Sequence, residues 1–261
     1  MRRRSTTKYL LTMGLLSLGS LALTVSCADN NSSLFVVGVI DINSSACIAK
    51  NDTTSAMLSQ GTMDYAFTSS YTAAVLVGNQ LTQRGSREEL RTETSRVSLR
   101  GAEVTLTTLD GKEIGHYSTV GTGFIDPSSG TAPGYSAMYV NVIPPSLGAS
   151  AAVRNAGFVL AKIRVFGDSL GNVSVTSSEL DFPIRICKGC LVRYPAASND
   201  PAAAKANTYS CTRSASTTQT TTETAPCLLG QDQPFDCTLC SSTTIALCAD
   251  PTQNPSFSPT P

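Results

Sequence analysis

Short apolar runs, most of them alternating with polar residues, dominate the chain, and no segment keeps a helical period for long. Residues 34–42 (LFVVGVIDI) are apolar and rich in β-branched side chains, which predicts a buried first strand. The stretch from Asn43 to Thr62 reads as a loop. Two β-like runs follow at Asp64–Thr68 and Tyr71–Leu81. In the second, Ala73, Val75, Val77 and Asn79 share one face, and Ala74 and Leu76 the other. Residues 86–94 (SREELRTET) predict a helical turn capped by Ser86, with Glu89 at the reciprocal position.

Hairpin patterning is clearest downstream. Val97 and Leu99 alternate in one phase and Ala102, Val104 and Leu106 in the other, so the phase slips at Gly101 and predicts a bulge there. Asp110-Gly111 is a two-residue hairpin signal leading into a strand over Glu113–Val120. A Gly/Pro/Ser loop covers 121–135, and the strand 136–143 (SAMYVNVI) stops at Pro144-Pro145. Val159, Ala161, Ile163 and Val165 alternate with Lys162 and Arg164, the pattern of a half-buried strand. A turn at 167–172 leads to Val173 and Val175. Phe182, Ile184 and Ile186 then alternate with Asp181 and Arg185 up to Cys187.

This succession of short strands predicts a mainly β chain, an antiparallel β-sandwich that is immunoglobulin-like in the broad sense, with almost no helix. The Cys…Trp…Cys spacing of true immunoglobulin domains is absent, since the chain has no tryptophan.

The N-terminus changes the picture from fold to address. Arg2, Arg3, Arg4 and Lys8 precede an uncharged apolar run from Tyr9 to Val25, which closes on Leu23-Thr24-Val25-Ser26-Cys27. The run is short for a membrane span of about 20 residues. With a small residue before the cysteine, it reads as a lipoprotein signal peptide over 1–26, with Cys27 taking the lipid (palmitate among the acyl chains). Ala28 in place of an aspartate favours the outer over the inner membrane. Residues 27–33 are a short tether reaching about 20 Å at most. The expected partners are therefore the membrane, through the lipid on Cys27, and an envelope protein not specified by the sequence.

Beyond the signal, 15 Lys and Arg face 19 Asp and Glu, a net charge of −4 with no basic run, which excludes charge-driven binding of nucleic acid. Cysteines divide the chain. After Cys27 comes only Cys47, then Cys187, Cys190, Cys211, Cys227, Cys237, Cys240 and Cys248, seven within 187–248. Such density marks a disulfide-stapled appendage over 192–248, following a β domain over 34–191. Residues 213–225 (RSASTTQTTTETA) form a low-complexity insert, and 249–261 a proline-rich disordered tail. Because seven is odd, Cys47 is expected to bond to a tail cysteine, Cys187 or Cys190 first among them.

Four segments, TAAVLVGNQL (72–81), RTETSRVSLRGAEV (91–104), LDFPIRICKGCLV (180–192) and PCLLGQDQPFDCTLC (226–240), resemble stretches of a lipoprotein family of myxobacteria and related Gram-negative bacteria. The resemblance spans roughly 34–248. That family has no established activity, so the resemblance implies an envelope address and no mechanism.

The candidate chemistry is thin. Cys187-Lys-Gly-Cys190 and Cys237-Thr-Leu-Cys240 are two C-x-x-C pairs, but the 46 residues between them are too many for a compact zinc ribbon and leave three cysteines over. A redox C-x-x-C normally opens a helix, whereas Cys187 ends a strand. His116 lacks a G-x-S-x-G or H-E-x-x-H context. Glu88/Glu89 and Glu179/Asp181 read as solvated charges. Loops 43–62 and 121–135, the latter with Phe124, Asp126 and Tyr135, are the expected binding surfaces. The sequence thus points to a lipid-anchored, non-enzymatic envelope lipoprotein, a structural or binding module without cofactor. Its rival is a thiol–disulfide redox protein using Cys187/Cys190.

Overall fold

The alternation of the chain resolves, among the described residues, into two large sheets that share one hydrophobic core and a separate two-stranded pair. A computed structural model describes residues 33–42, 47–86, 88–194 and 226–237. In chain order the strands are β1 (Leu34–Ile40), β2 (Met57–Leu58), β3 (Gly61–Asp64), β4 (Tyr71–Asn79), β5 (Val97–Thr108), β6 (Glu113–Ile125) and β7 (Gly134–Ile143). Two one-turn helices, α1 (Pro145–Gly148) and α2 (Ala151–Arg154), precede β8 (Phe158–Ser169), β9 (Ser174–Thr176), β10 (Leu180–Cys187), β11 (Val192–Arg193) and β12 (Phe235–Asp236). The smaller sheet runs β2-β1-β4-β7. The larger runs β3-β10-β8-β5-β6 with β9 added on β8, and it is curled into a half-barrel.

β4 is buried along both faces, as its two-sided apolar pattern requires. Ala73, Val75 and Val77 enter the core between the sheets with Leu99, Val104, Met138 and Ile163. Ala74 and Leu76 face the other way and pack with Ile40 and Ala49 in a second cluster. Asn79 closes the strand from inside, donating from Nδ2 to the Ser95 carbonyl at 2.9 Å.

The bulge at Gly101 is present: β5 changes register between Leu99 and Gly101 against both neighbours. A Cβ there would run into the Thr119 carbonyl. The hairpin at Asp110-Gly111 is also present, but its loop is one residue longer than the dipeptide suggests. Thr108 N–H donates to the Lys112 carbonyl at 2.9 Å and Gly111 N–H to the Thr108 carbonyl at 3.0 Å. Gly111 adopts φ 87°, the left-handed residue that a three-residue loop needs.

Other expectations are corrected. The supposed loop 43–62 contains β2 and the start of β3. Of the run 64–68 only Asp64 is in a strand, because its Oδ1 accepts Ala66 N–H at 3.1 Å and turns the chain. β6 continues to Ile125 and β7 begins at Gly134, so the loop expected at 121–135 shrinks to 126–133. Where the sequence predicts a helical turn over 86–94, Ser86 and Arg91 form a bridge, each N–H donating to the other's carbonyl. Ser86 Oγ still accepts Glu89 N–H at 3.2 Å. Helix is scarce, as expected: among the described residues two single turns follow the prolines, where Pro145 starts α1 and Ser150 Oγ caps α2 by accepting Val153 N–H at 3.3 Å. Nor is the larger sheet purely antiparallel, since β3 and β10 pair in parallel.

Candidate functional site

The polar chemistry of the body gathers where β3 and β10 end side by side, with Asp64 in register with Cys187. Past this point the chain turns through Lys188 and Gly189, the latter at φ 75°, and Cys187 bonds to Cys190 with their Cα atoms 5.9 Å apart. The turn wraps over the Asp64 side chain. Gly189 N–H donates to Oδ1 at 2.7 Å and Leu191 N–H to Oδ2 at 3.1 Å. Ala66 and Cys190 N–H groups complete the set.

Asp64 is fully buried. Burial pushes its carboxyl above the ordinary range, while the N–H groups of Gly189, Leu191, Ala66 and Cys190 pull it back down. Donors reach both oxygens and favour the carboxylate against the cost of burial. The sulfurs of Cys187 and Cys190 and a carboxylate oxygen lie within 4.8 Å of one another. The sulfurs are bonded to each other and the oxygens are occupied, so the cluster offers no ligand atoms to a metal as it stands.

A second polar knot lies beside it and fastens the tail. Asp64 N–H donates to the Gly230 carbonyl at 2.8 Å. Asp232, itself at φ 57°, accepts the Tyr71 hydroxyl and takes Thr62 N–H at 2.7 Å. Buried Gln231 grips one backbone residue of β4 at both ends. Thr72 N–H donates to its Oε1 at 2.9 Å, and its Nε2 donates to the Thr72 carbonyl at 2.7 Å. β12 pairs in parallel with β11, and Phe235 stacks edge-on against Phe67 with centroids 4.9 Å apart.

Cys47 is oxidised and bonded to a tail cysteine, but the partner is Cys227. The expectation of Cys187 or Cys190 fails because those two satisfy each other across the Asp64 turn. Cys237 is also disulfide-bonded. Cys27, Cys211, Cys240 and Cys248, residues 27–32 of the tether, the insert 213–225 and the tail 249–261 lie outside the described residues.

The expected binding loops are put to structural use. Ala49 N–H donates to the Tyr139 hydroxyl at 3.1 Å and Asn51 Oδ1 accepts Ala137 N–H at 2.8 Å, which lays residues 47–56 along the outer face of the smaller sheet. Phe124 lies on β6 under the Arg96 guanidinium, which pairs with Asp126 at 3.0 Å; Tyr135 packs on Phe35. His116 faces Thr105 across the hairpin, Nδ1 to Oγ1 at 2.8 Å, and is exposed. Glu179 and Asp181 both engage Lys162, at 3.0 and 3.7 Å. The hydrogen bond and charge of Glu179, with help from Asp181, hold that lysine's pKa above its usual value. Glu88 and Glu89 are exposed, and Glu89 pairs with Arg91.

Reasoning from sequence overlooked Asp64, Tyr71, Gln231 and Asp232. The signal available for Asp64 was a lone charge at the head of the β-like run 64–68; the other three carried none.

No family model and no curated protein matches the chain. Among solved structures, one described as "X-ray structure of Northeast Structural Genomics Consortium target SoR45" is similar at 10% identity with a TM-score of 0.31, over 60% of this chain and 88% of that one.

Proposed function

We propose that the chain is a lipid-anchored, non-enzymatic module of the cell envelope, held to the outer membrane through Cys27 and serving as a structural or binding body for an envelope partner. The observation that carries the reading is the Cys47–Cys227 disulfide, which joins positions 180 residues apart. A staple of that span belongs to a protein that folds and works where thiols are oxidised, in keeping with an exported chain. The lipoprotein-type N-terminus supplies the address, and acylation by two or three chains gives almost irreversible anchorage. On this reading the two sheets form a divergent β-sandwich, immunoglobulin-like in the broad sense, with the cysteine-rich segment 192–248 as its appendage. The net charge of −4 keeps nucleic acid out of the partner list.

Acyl labelling tests the reading. The Cys27→Ser chain is expected to accumulate as an unlipidated precursor that takes up no labelled palmitate. Label retained in that variant overturns the assignment.

A further inference from the structure

We propose that Asp64 makes the Cys187–Cys190 disulfide a self-templated latch that resists reduction, and not a site of thiol–disulfide exchange. The inference goes beyond the functional reading and does not depend on the lipid anchor.

Geometry gives the first reason. The N–H groups that hold the turn to Asp64 belong to the backbone of Gly189, Cys190 and Leu191, not to the sulfurs, so they bind whether the sulfurs are joined or apart. They keep the two Cα atoms 5.9 Å apart, within the usual disulfide range. Closing the ring therefore needs little further ordering of the chain. The latch also reaches the tail, because Leu191 carries its carbonyl to Phe235 N–H at 2.9 Å and Val192 pairs with Phe235.

Electrostatics gives the second. In exchange an external thiolate attacks one sulfur, the Cys187–Cys190 bond breaks, and its electron pair leaves on the other sulfur as a thiolate. That thiolate takes a proton from water. A second external thiol completes the two-electron reduction, leaving two protein thiols and one external disulfide. Each protein thiolate would form within 4.8 Å of the buried Asp64 carboxylate. Like charges at that distance, away from water, disfavour the thiolate and so slow both its departure and its return as a nucleophile. The other ionisable groups on the elements packed here are Lys188, Arg185, Arg193 and Asp181, which are exposed and screened by solvent, Arg154, exposed over the Tyr65 ring at 5.4 Å, the half-buried phenols of Tyr65 and Tyr194, the half-buried Asp236, and Asp232, whose carboxylate is engaged by Tyr71 and Thr62. None offsets Asp64 from inside the body.

The test uses the detergent-extracted full chain, reduced and then alkylated with iodoacetamide across a pH series, with Cys187 and Cys190 read individually by peptide mass. Both thiols are expected to alkylate with a midpoint above the ordinary cysteine value of about 8.5. At pH 7.5 the Asp64→Asn chain should alkylate them at least about tenfold faster, the effect of one pH unit in the midpoint. Glutathione buffers should reduce the pair in Asp64→Asn at a milder poise than in the native chain. A native midpoint at or below the ordinary value overturns the proposal even if the variant does not fold. Equal alkylation and equal reduction of a folded variant overturn it as well.

Discussion

Tyr71 donates its hydroxyl to the carboxylate of Asp232 at 2.9 Å, a bond between residues 161 apart in sequence that fastens the tail segment to the first residue of β4. The phenol is completely buried, and burial followed by the Asp232 charge pushes its pKa far above the ordinary tyrosine value. Its proton is therefore fixed in the bond at every physiological pH. Tyr71→Phe leaves the half-buried carboxylate short of a donor and is expected to cost about 1–3 kcal/mol. Urea unfolding of the two chains checks this.

The same carboxyl sets a pH dependence. Burial raises the Asp232 pKa despite the donors of Thr62, Tyr71 and Gln231. A carboxyl whose folded pKa lies above its unfolded value stabilises the fold where it is protonated, fully so below about pH 4, and that contribution is lost as pH rises through the folded pKa. Asp232→Asn, which keeps an acceptor for Tyr71, should thus match the native chain near pH 4 and become the more stable one toward neutrality. Thermal midpoints at several pH values read the difference; a gap that does not grow with pH contradicts the assignment.

Removing the long staple should cost far more than removing the short one. In the chain-entropy model a loop closed over 180 positions is worth about 5 kcal/mol, and a closure over three positions about 2 kcal/mol. Cys47→Ser with Cys227→Ser is expected to lower the unfolding midpoint strongly and to expose residues 226–237 to protease. Cys187→Ser with Cys190→Ser should lower it modestly and leave that segment protected, because Asp64 still holds the turn.

Gly101→Ala sets a Cβ against the Thr119 carbonyl in the bulge, where backbone and not a flexible side chain must give way. A loss of about 1–3 kcal/mol is expected. Leu76→Ala should cost about 2–5 kcal/mol, the price of a core position, because the outer face of β4 is covered and not solvated. A Leu76→Ala loss of under about 0.5 kcal/mol, typical of a surface site, would mean that residues 47–56 do not cover the sheet.

What could be read from the sequence was local. The phase slip at Gly101, the Asp-Gly turn and the two apolar faces of β4 each occupy a few consecutive residues, so period and turn chemistry expose them. The parallel pairing of β3 with β10 joins residues more than a hundred positions apart and leaves no trace in either strand's own pattern. Gln231 and Asp232 look like ordinary loop residues, and only the backbone ends they meet at Thr72 and Thr62 give them a role. Cysteine parity showed that Cys47 must pair with the tail. Cys187 and Cys190 are excluded as its partners because they bond to each other, and the pairing with Cys227, 180 positions away, leaves no local signal.

The central claim is that this is an exported, lipid-anchored body, and the N-terminal peptide of the protein extracted from native membranes tests it most directly. The account predicts a mature chain that begins at Cys27, with a diacylglycerol on its sulfur and residues 1–26 removed. A chain that retains residues 1–26, or one whose Cys27 is recovered as a free thiol, contradicts it.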